Sequence, residues 1–201
     1  MYFLRGGRIS PTRVTVDRTR AVAHAALHAL AGQAPRGYST AFLPPDDVAV
    51  TVDGGVAKVD WPHGTLSHEA AAQVVYTLTE FPTIRAVELP DGTRARRAAF
   101  EDVVPPIVIE TPLPGDDVRS PIPVAVTSSV FEATLVIELV RGGQVLQRKT
   151  VTASTGAPER GTFSTSFVTN ATGKASIVAF SPSAADGSEQ HRVEVPVRIV
   201  G

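Results

Sequence analysis

The sequence predicts an α+β domain, two helices packed on a sheet, followed by an all-β sandwich. Three observations carry that reading. Apolar residues recur at a helical period in two stretches, near residues 19–31 and 67–81, each flanked by alternating runs. From Ile107 to the end the period is two and no helical stretch appears. The change falls just after Pro105-Pro106, a proline pair that stiffens a junction. The expected organisation is a domain over 1–93, a linker or ornament over 94–106, and a second domain over 107–201.

In the first domain, Tyr2-Phe3-Leu4 and Arg13-Val14-Thr15-Val16 read as short strands, with Gly6-Gly7 and Pro11 punctuating between them. A helix follows from about Thr19 to Ala31. Val22, Ala23, Ala26, Leu27 and Leu30 form its apolar stripe, and Gly32 ends it. Tyr38 and Phe42 are the buried-looking residues of the next loop. Val48, Val50 and Val52 alternate with polar neighbours, Asp53-Gly54-Gly55 turns the chain, and Ala57, Val59 and Trp61 alternate again, which is a hairpin. Ser67 caps a second helix with Ala71, Val74, Val75, Leu78 and Phe81 on one face and Pro82 beyond its end. Ile84 to Leu89 makes a further strand, closed by Asp91-Gly92.

In the second half Ile107 and Ile109 begin an alternation taken up by Ile122, Val124 and Val126, and by Leu135, Ile137 and Leu139. Gly142-Gly143 turns into a return strand from Val145 to Val151. Phe163, Thr165 and Phe167 share a face, as do Ser176, Val178 and Phe180, and Val193 to Ile199 alternates with Arg192, Glu194, Pro196 and Arg198. Pro196 withholds a donor, which marks its strand as an edge or a bulge. Roughly seven strands in roughly 95 residues is the pattern of an immunoglobulin-like sandwich, here without a cysteine pin.

Composition narrows the function classes. The chain has 201 residues, 43% hydrophobic and 19% charged, which suits folded domains with cores of their own. Its formal charge of −1 gives no global attraction to nucleic acid. With no cysteine, disulfides, thiolate metal sites and a cysteine nucleophile are excluded. No run of about 18 apolar residues spans a bilayer, and the first residues lack the apolar core of a signal peptide.

No side-chain set compels a reaction. His24 and His28 stand at i and i+4, a spacing that lets two imidazoles share a metal, but the glutamate of a His-Glu-x-x-His protease is absent. They project away from the apolar stripe, where histidines are solvated. His63 and His68 flank the second helix and add ligands only if the fold carries them across. Asp46-Asp47, Asp116-Asp117 and Asp186 with Glu189 are acidic loop clusters without the Asp-x-Asp-x-Asp spacing of a calcium loop, and Asp186-Gly187-Ser188 reads as a turn. Asp60 and Glu69 have no supporting pattern for a glycosidase pair. Trp61 reads as core, and Arg94, Arg96 and Arg97 as solvated. Neither a nucleophile elbow nor a phosphate loop occurs. The expectation is therefore no catalytic residue, no cofactor and no metal, with no partner-binding residue singled out.

Several of these stretches resemble a known family pair. Tyr2-Phe3-Leu4, Ala26-Leu27 with Leu30-Ala31-Gly32, the Asp53-Gly54 hairpin with Val59-Asp60, and Gln73 to Leu78 running to Phe81-Pro82 resemble the GerMN domain of sporulation and spore germination proteins. Ile107 to Pro112, Val118-Arg119-Ser120-Pro121 and Val130-Phe131-Glu132-Ala133-Thr134 are similar to Gmad2, the immunoglobulin-like domain of bacterial spore germination proteins. One departure is Thr127-Ser128-Ser129, where that pattern has glycine. The resemblance implies a non-enzymatic, extracytoplasmic module of the bacterial cell envelope, in an exported lipoprotein whose lipid tether lies outside this chain. It implies a protein partner or the cell-wall polymer as ligand; the physical route expected is sheet edges and loop ends, since unpaired strand edges accept a partner strand, with the groove between the domains as the other surface. The alternative is a cell-wall-acting hydrolase or metal-binding protein using His24 and His28.

Overall fold

A computed structural model describes residues 1–32, 34–44, 48–60 and 65–201. The chain divides into two compact units, Met1–Pro105 and Pro106–Gly201. Asp46-Asp47, Trp61 and His63, singled out above, lie outside the described residues.

The first unit opens with β1 (Tyr2–Arg5) and β2 (Arg8–Pro11), an antiparallel hairpin. Gly6 and Gly7 turn it with φ of 58° and 77°, a mirror-image turn that only glycine enters freely. That tight reversal starts the return strand at once, so the strand expected at Arg13–Val16 does not form and residues 12–21 are irregular. Helix α1 (Val22–Ala31) buries Ala26, Leu27 and Leu30, whereas Val22 is 51% exposed, so the stripe begins a turn later than its sequence pattern. Gly32 does follow the helix, but in extended backbone rather than the left-handed cap.

β3 (Ala49–Asp53) and β4 (Val56–Asp60) pair as the expected hairpin. Helix α2 (His68–Leu78) is capped by Ser67, whose Oγ accepts from the Ala70 amide at 3.2 Å. The single face expected of it is too little: every residue from Ala70 to Leu78 is buried, Gln73 and Thr77 included. The reason is tertiary, because α2 packs against α1, β1, β2, β5 (Ala86–Glu88) and the 3₁₀ segment Arg97–Val103. β6 (Arg94–Ala95) completes a sheet of order β3-β4-β5-β6, in which β4 and β5 are parallel. The segment 94–106 thus contributes a short strand and a helical turn to the first unit up to Pro105.

The second unit is a sandwich of eight strands: β7 (Ile107–Thr111), β8 (Asp117–Val118), β9 (Ile122–Ser128), β10 (Thr134–Arg141), β11 (Gln144–Thr152), β12 (Gly161–Phe167), β13 (Gly173–Pro182) and β14 (Glu189–Ile199). One sheet runs β11-β10-β13-β14-β8 and the other β12-β9-β7. Alternate residues meet between them in one core that includes Ile107, Ile122, Leu135, Ile137, Phe167 and Ile177. The face shared by Ser176, Val178 and Phe180 is the outer one. It carries a second apolar cluster, Val136, Val178 and Phe180. β14 is not an edge strand, since it lies between β13 and β8. The Pro196 carbonyl accepts from the Gly115 amide, so its donorless nitrogen faces the side where β8 pairs only Arg198 and Ile199. A register shift in β14 falls instead near His191, which has a φ of 55°.

Candidate functional site

Helix geometry places the two imidazoles of α1 one turn apart on its exposed side, with ring centroids 6.5 Å apart and planes 25° from parallel. Next to them opens a cavity of about 220 Å³, with Leu27, Ala31, Phe42 and Val48 among its walls and His24 and His28 at its rim. Among the described residues no group of three His, Cys, Asp or Glu side chains converges to hold a metal. His68 is committed elsewhere. Its Nε2 lies 2.9 Å from Asp102 Oδ1 and its ring is tilted against Phe100 at 5.1 Å. The hydrogen bond from His68 holds the Asp102 carboxyl below its ordinary range.

Of the three arginines only Arg97 departs from the solvated reading, since Arg94 and Arg96 are exposed. Arg97 lies across the rings of Tyr76 and Tyr2, at 4.8 Å and 5.1 Å from their centroids. Its Nε donates to Thr79 Oγ1 at 2.8 Å, and its Nη2 to Glu80 Oε2 at 2.8 Å and to the Tyr76 carbonyl at 3.1 Å. Tyr2 OH donates to the same Glu80 oxygen at 3.0 Å. This is a clamp that fastens the 3₁₀ segment to α2 and β1, with all three partners fixed in geometry. Arg94 pairs loosely with Glu88 at 3.6 Å.

The acidic positions have local work. Asp116 accepts from the Leu113 amide at 3.0 Å, and Asp186 accepts from the amide and hydroxyl of Ser188, whose hydrogen bonds lower its pKa. That is the turn role expected of Asp-Gly-Ser. Asp60 sits 3.6 Å from Lys58 in an exposed pair.

Two sheet edges differ in how they are guarded. Among the described residues β3 has a ladder partner on one side only, exposes Val52 at 47%, and contains neither lysine nor proline. β11 is also an edge strand, but Lys149 reaches from it to Thr165 Oγ1 at 3.0 Å and the Ser166 carbonyl at 2.6 Å, with its ammonium 5.4 Å from the Phe167 ring. On the outer face the Glu138 side chain, almost fully buried, meets Arg148 at 2.5 Å. Sequence reading missed Glu138, Lys149 and Gln73. Only Lys149 carries a signal, a polar residue in register with Val145 and Val151, whereas Glu138 and Gln73 fall on faces that the apolar period turns outward.

A further surface feature lies at the Val130–Ala133 loop, where Phe131 is 76% exposed. Glu132 and Ala133 both take left-handed backbone, φ 58° and 53°, which non-glycine residues rarely adopt.

An α+β unit followed by an eight-stranded immunoglobulin-like sandwich defines a tandem-domain protein, and the comparisons say which. Residues 1–94 match the family model described as sporulation and spore germination. Residues 106–188 match Gmad2, the immunoglobulin-like domain of bacterial spore germination. The chain belongs to the proteins that carry these two domains in this order. No curated protein matches it. Among solved structures, the tandem GerMN domains of the sporulation protein GerM from Bacillus subtilis are 16% identical with a TM-score of 0.41, over 85% of this chain and 60% of that one. The fibronectin(III)-like modules of CbhA from Clostridium thermocellum are 17% identical with a TM-score of 0.29, over 46% of this chain and 93% of that one. An engineered protein is 20% identical with a TM-score of 0.33, over 57% of this chain, which spans only 21% of that one. No helix among the described residues is long and apolar enough to cross a membrane.

Proposed function

We propose that this chain is a non-enzymatic, extracytoplasmic interaction module of the bacterial cell envelope, part of an exported lipoprotein tethered through a segment outside it, and that it binds a protein partner or the wall polymer. The reading rests above all on the open edge of β3. Among the described residues its backbone donors and acceptors on one side have no ladder partner, and no lysine or proline guards it, which suits it to take an added strand. The two family matches support it, since both domains belong to sporulation and germination proteins. A metal-dependent wall hydrolase finds less support, because the His24 and His28 imidazoles meet no third ligand among the described residues.

The lack of cysteine makes the test clean. A single Thr51→Cys on the exposed side of β3 is expected to react with a membrane-impermeant maleimide in cells whose outer envelope has been opened. A photo-crosslinker at the same position is expected to trap an envelope protein or wall fragment. Labelling only after lysis would refute the location, and stoichiometric zinc lost in His24→Ala would favour the hydrolase.

A further inference from the structure

The second unit presents a knob that is built to stay out. Val130 and Ala133 are only 4% and 7% exposed and anchor the loop, while Phe131 between them is 76% exposed. The loop is fixed by backbone bonds: Ala133 to Val130 at 3.2 Å, Ala153 to Ala133 at 2.9 Å, and Ala157 to Val130 at 3.0 Å. Gly156 makes that packing possible, since a Cβ there would lie 2.8 Å from the Val130 carbonyl oxygen and 2.9 Å from the Ala133 nitrogen. Consecutive left-handed residues at Glu132 and Ala133 hold the turn in strained backbone. A phenyl ring fixed in water by a rigid, strained loop is preorganised for insertion into an apolar hole, because little conformational freedom is left to lose.

The first unit contains a cavity of matching size, lined by polar as well as apolar groups. The cavity beside α1 measures about 220 Å³, with Leu27, Ala31, Phe42 and Val48 among its walls. An apolar cavity of about 150 Å³ suffices for benzene, so one aromatic ring fits. The rim matches as well. His24 and His28 stand there with imidazole N–H donors, and Glu132, next to Phe131 in the chain, carries an exposed carboxylate without an ion-pair partner among the described residues.

We propose that the chain binds a second copy of itself head to tail, Phe131 of one copy entering the α1 cavity of the next with Glu132 against His24 and His28. Phe131 belongs to the second unit and the cavity to the first, so each contact joins unlike surfaces of two copies. This rests on the interaction-module reading and names its partner. A single anchor of this size gives weak association, on the order of 100 μM.

The test uses the full chain in sedimentation velocity from about 5 to 500 μM, a range set around that affinity. The wild type is expected to grow in mass with concentration. Phe131→Ala, which removes the knob, and Ala31→Phe, which fills the hole, are each expected to stay monomeric. Mixed together they are expected to form a 1:1 heterodimer and nothing larger, because one intact knob meets one intact hole. His28→Glu, an exposed substitution, supplies a second hole variant if Ala31→Phe does not fold, and is expected to weaken association about tenfold by setting a carboxylate against Glu132. A monomeric wild type at 500 μM, a Phe131→Ala protein that assembles like the wild type, or a mixture that fails to form the heterodimer would each overturn the proposal. Any of these leaves β3 crosslinking to an envelope component as a separate result, so the module reading is judged on its own.

Discussion

Single side chains decide more of this protein than its bland composition suggests. Arg97 spans β1, α2 and the 3₁₀ segment through two aromatic faces and a carboxylate, while its own side chain is only one-third exposed. Arg97→Ala is expected to lower the stability of the first unit by about 2 kcal/mol, read from urea unfolding. Ser128 carries the opposite sign. It is fully buried, and its Oγ has no hydrogen-bond partner among the described residues. Ser128→Ala removes a desolvated hydroxyl and is expected to raise stability by about 1 kcal/mol, a shift visible in the melting temperature. The pair on the outer face is asymmetric as well: Glu138 is buried and Arg148 is 59% exposed. Arg148→Ala strands a buried carboxylate and is expected to cost about 3 kcal/mol, more than Glu138→Gln, which leaves an arginine free to hydrate.

Among the elements, β14 shows how an exposed strand face gains pH dependence. Hydrogen bonds from Arg192 and then Ser176 hold the Glu194 carboxyl below the ordinary glutamate value of 4.5. Its folded pKa is the lower one, so its stabilising contribution is complete above that ordinary value and fades as pH falls through the folded value. Arg192→Gln is expected to lower the melting temperature at pH 7 by the worth of one partly exposed pair, less than about 1 kcal/mol, and to leave it unchanged at pH 3, so that the acid limb between pH 5 and 3 flattens. Element identity was largely legible. Ser67 announced the start of α2 and Gly6-Gly7 the first reversal, because caps and turns are local chemistry. The full burial of α2 was not legible: Gln73 accepts from the Ala41 amide at 2.7 Å and donates to the Tyr2 carbonyl at 3.2 Å, partners 32 and 71 positions away. No periodicity in a window of 11 residues carries that information.

At the scale of the whole molecule, each unit has its own core and hydrogen-bond network. Residues 106–201 produced alone are expected to unfold cooperatively, with a transition matching one phase of the full chain in calorimetry. A molten, non-cooperative fragment would show that the second unit depends on the first.

The chain alone determined that two folds stand in tandem, which family pair they resemble, and that cysteine chemistry is excluded, because periodicity, capping and composition are properties of neighbouring residues. Only the tertiary structure decided which face of each element is buried, that Arg97 is a clamp rather than a solvated cation, that His68 is taken by Asp102, and that Phe131 stands exposed between two buried neighbours. Those facts depend on which distant segments meet, and the meeting is set by packing rather than by local sequence.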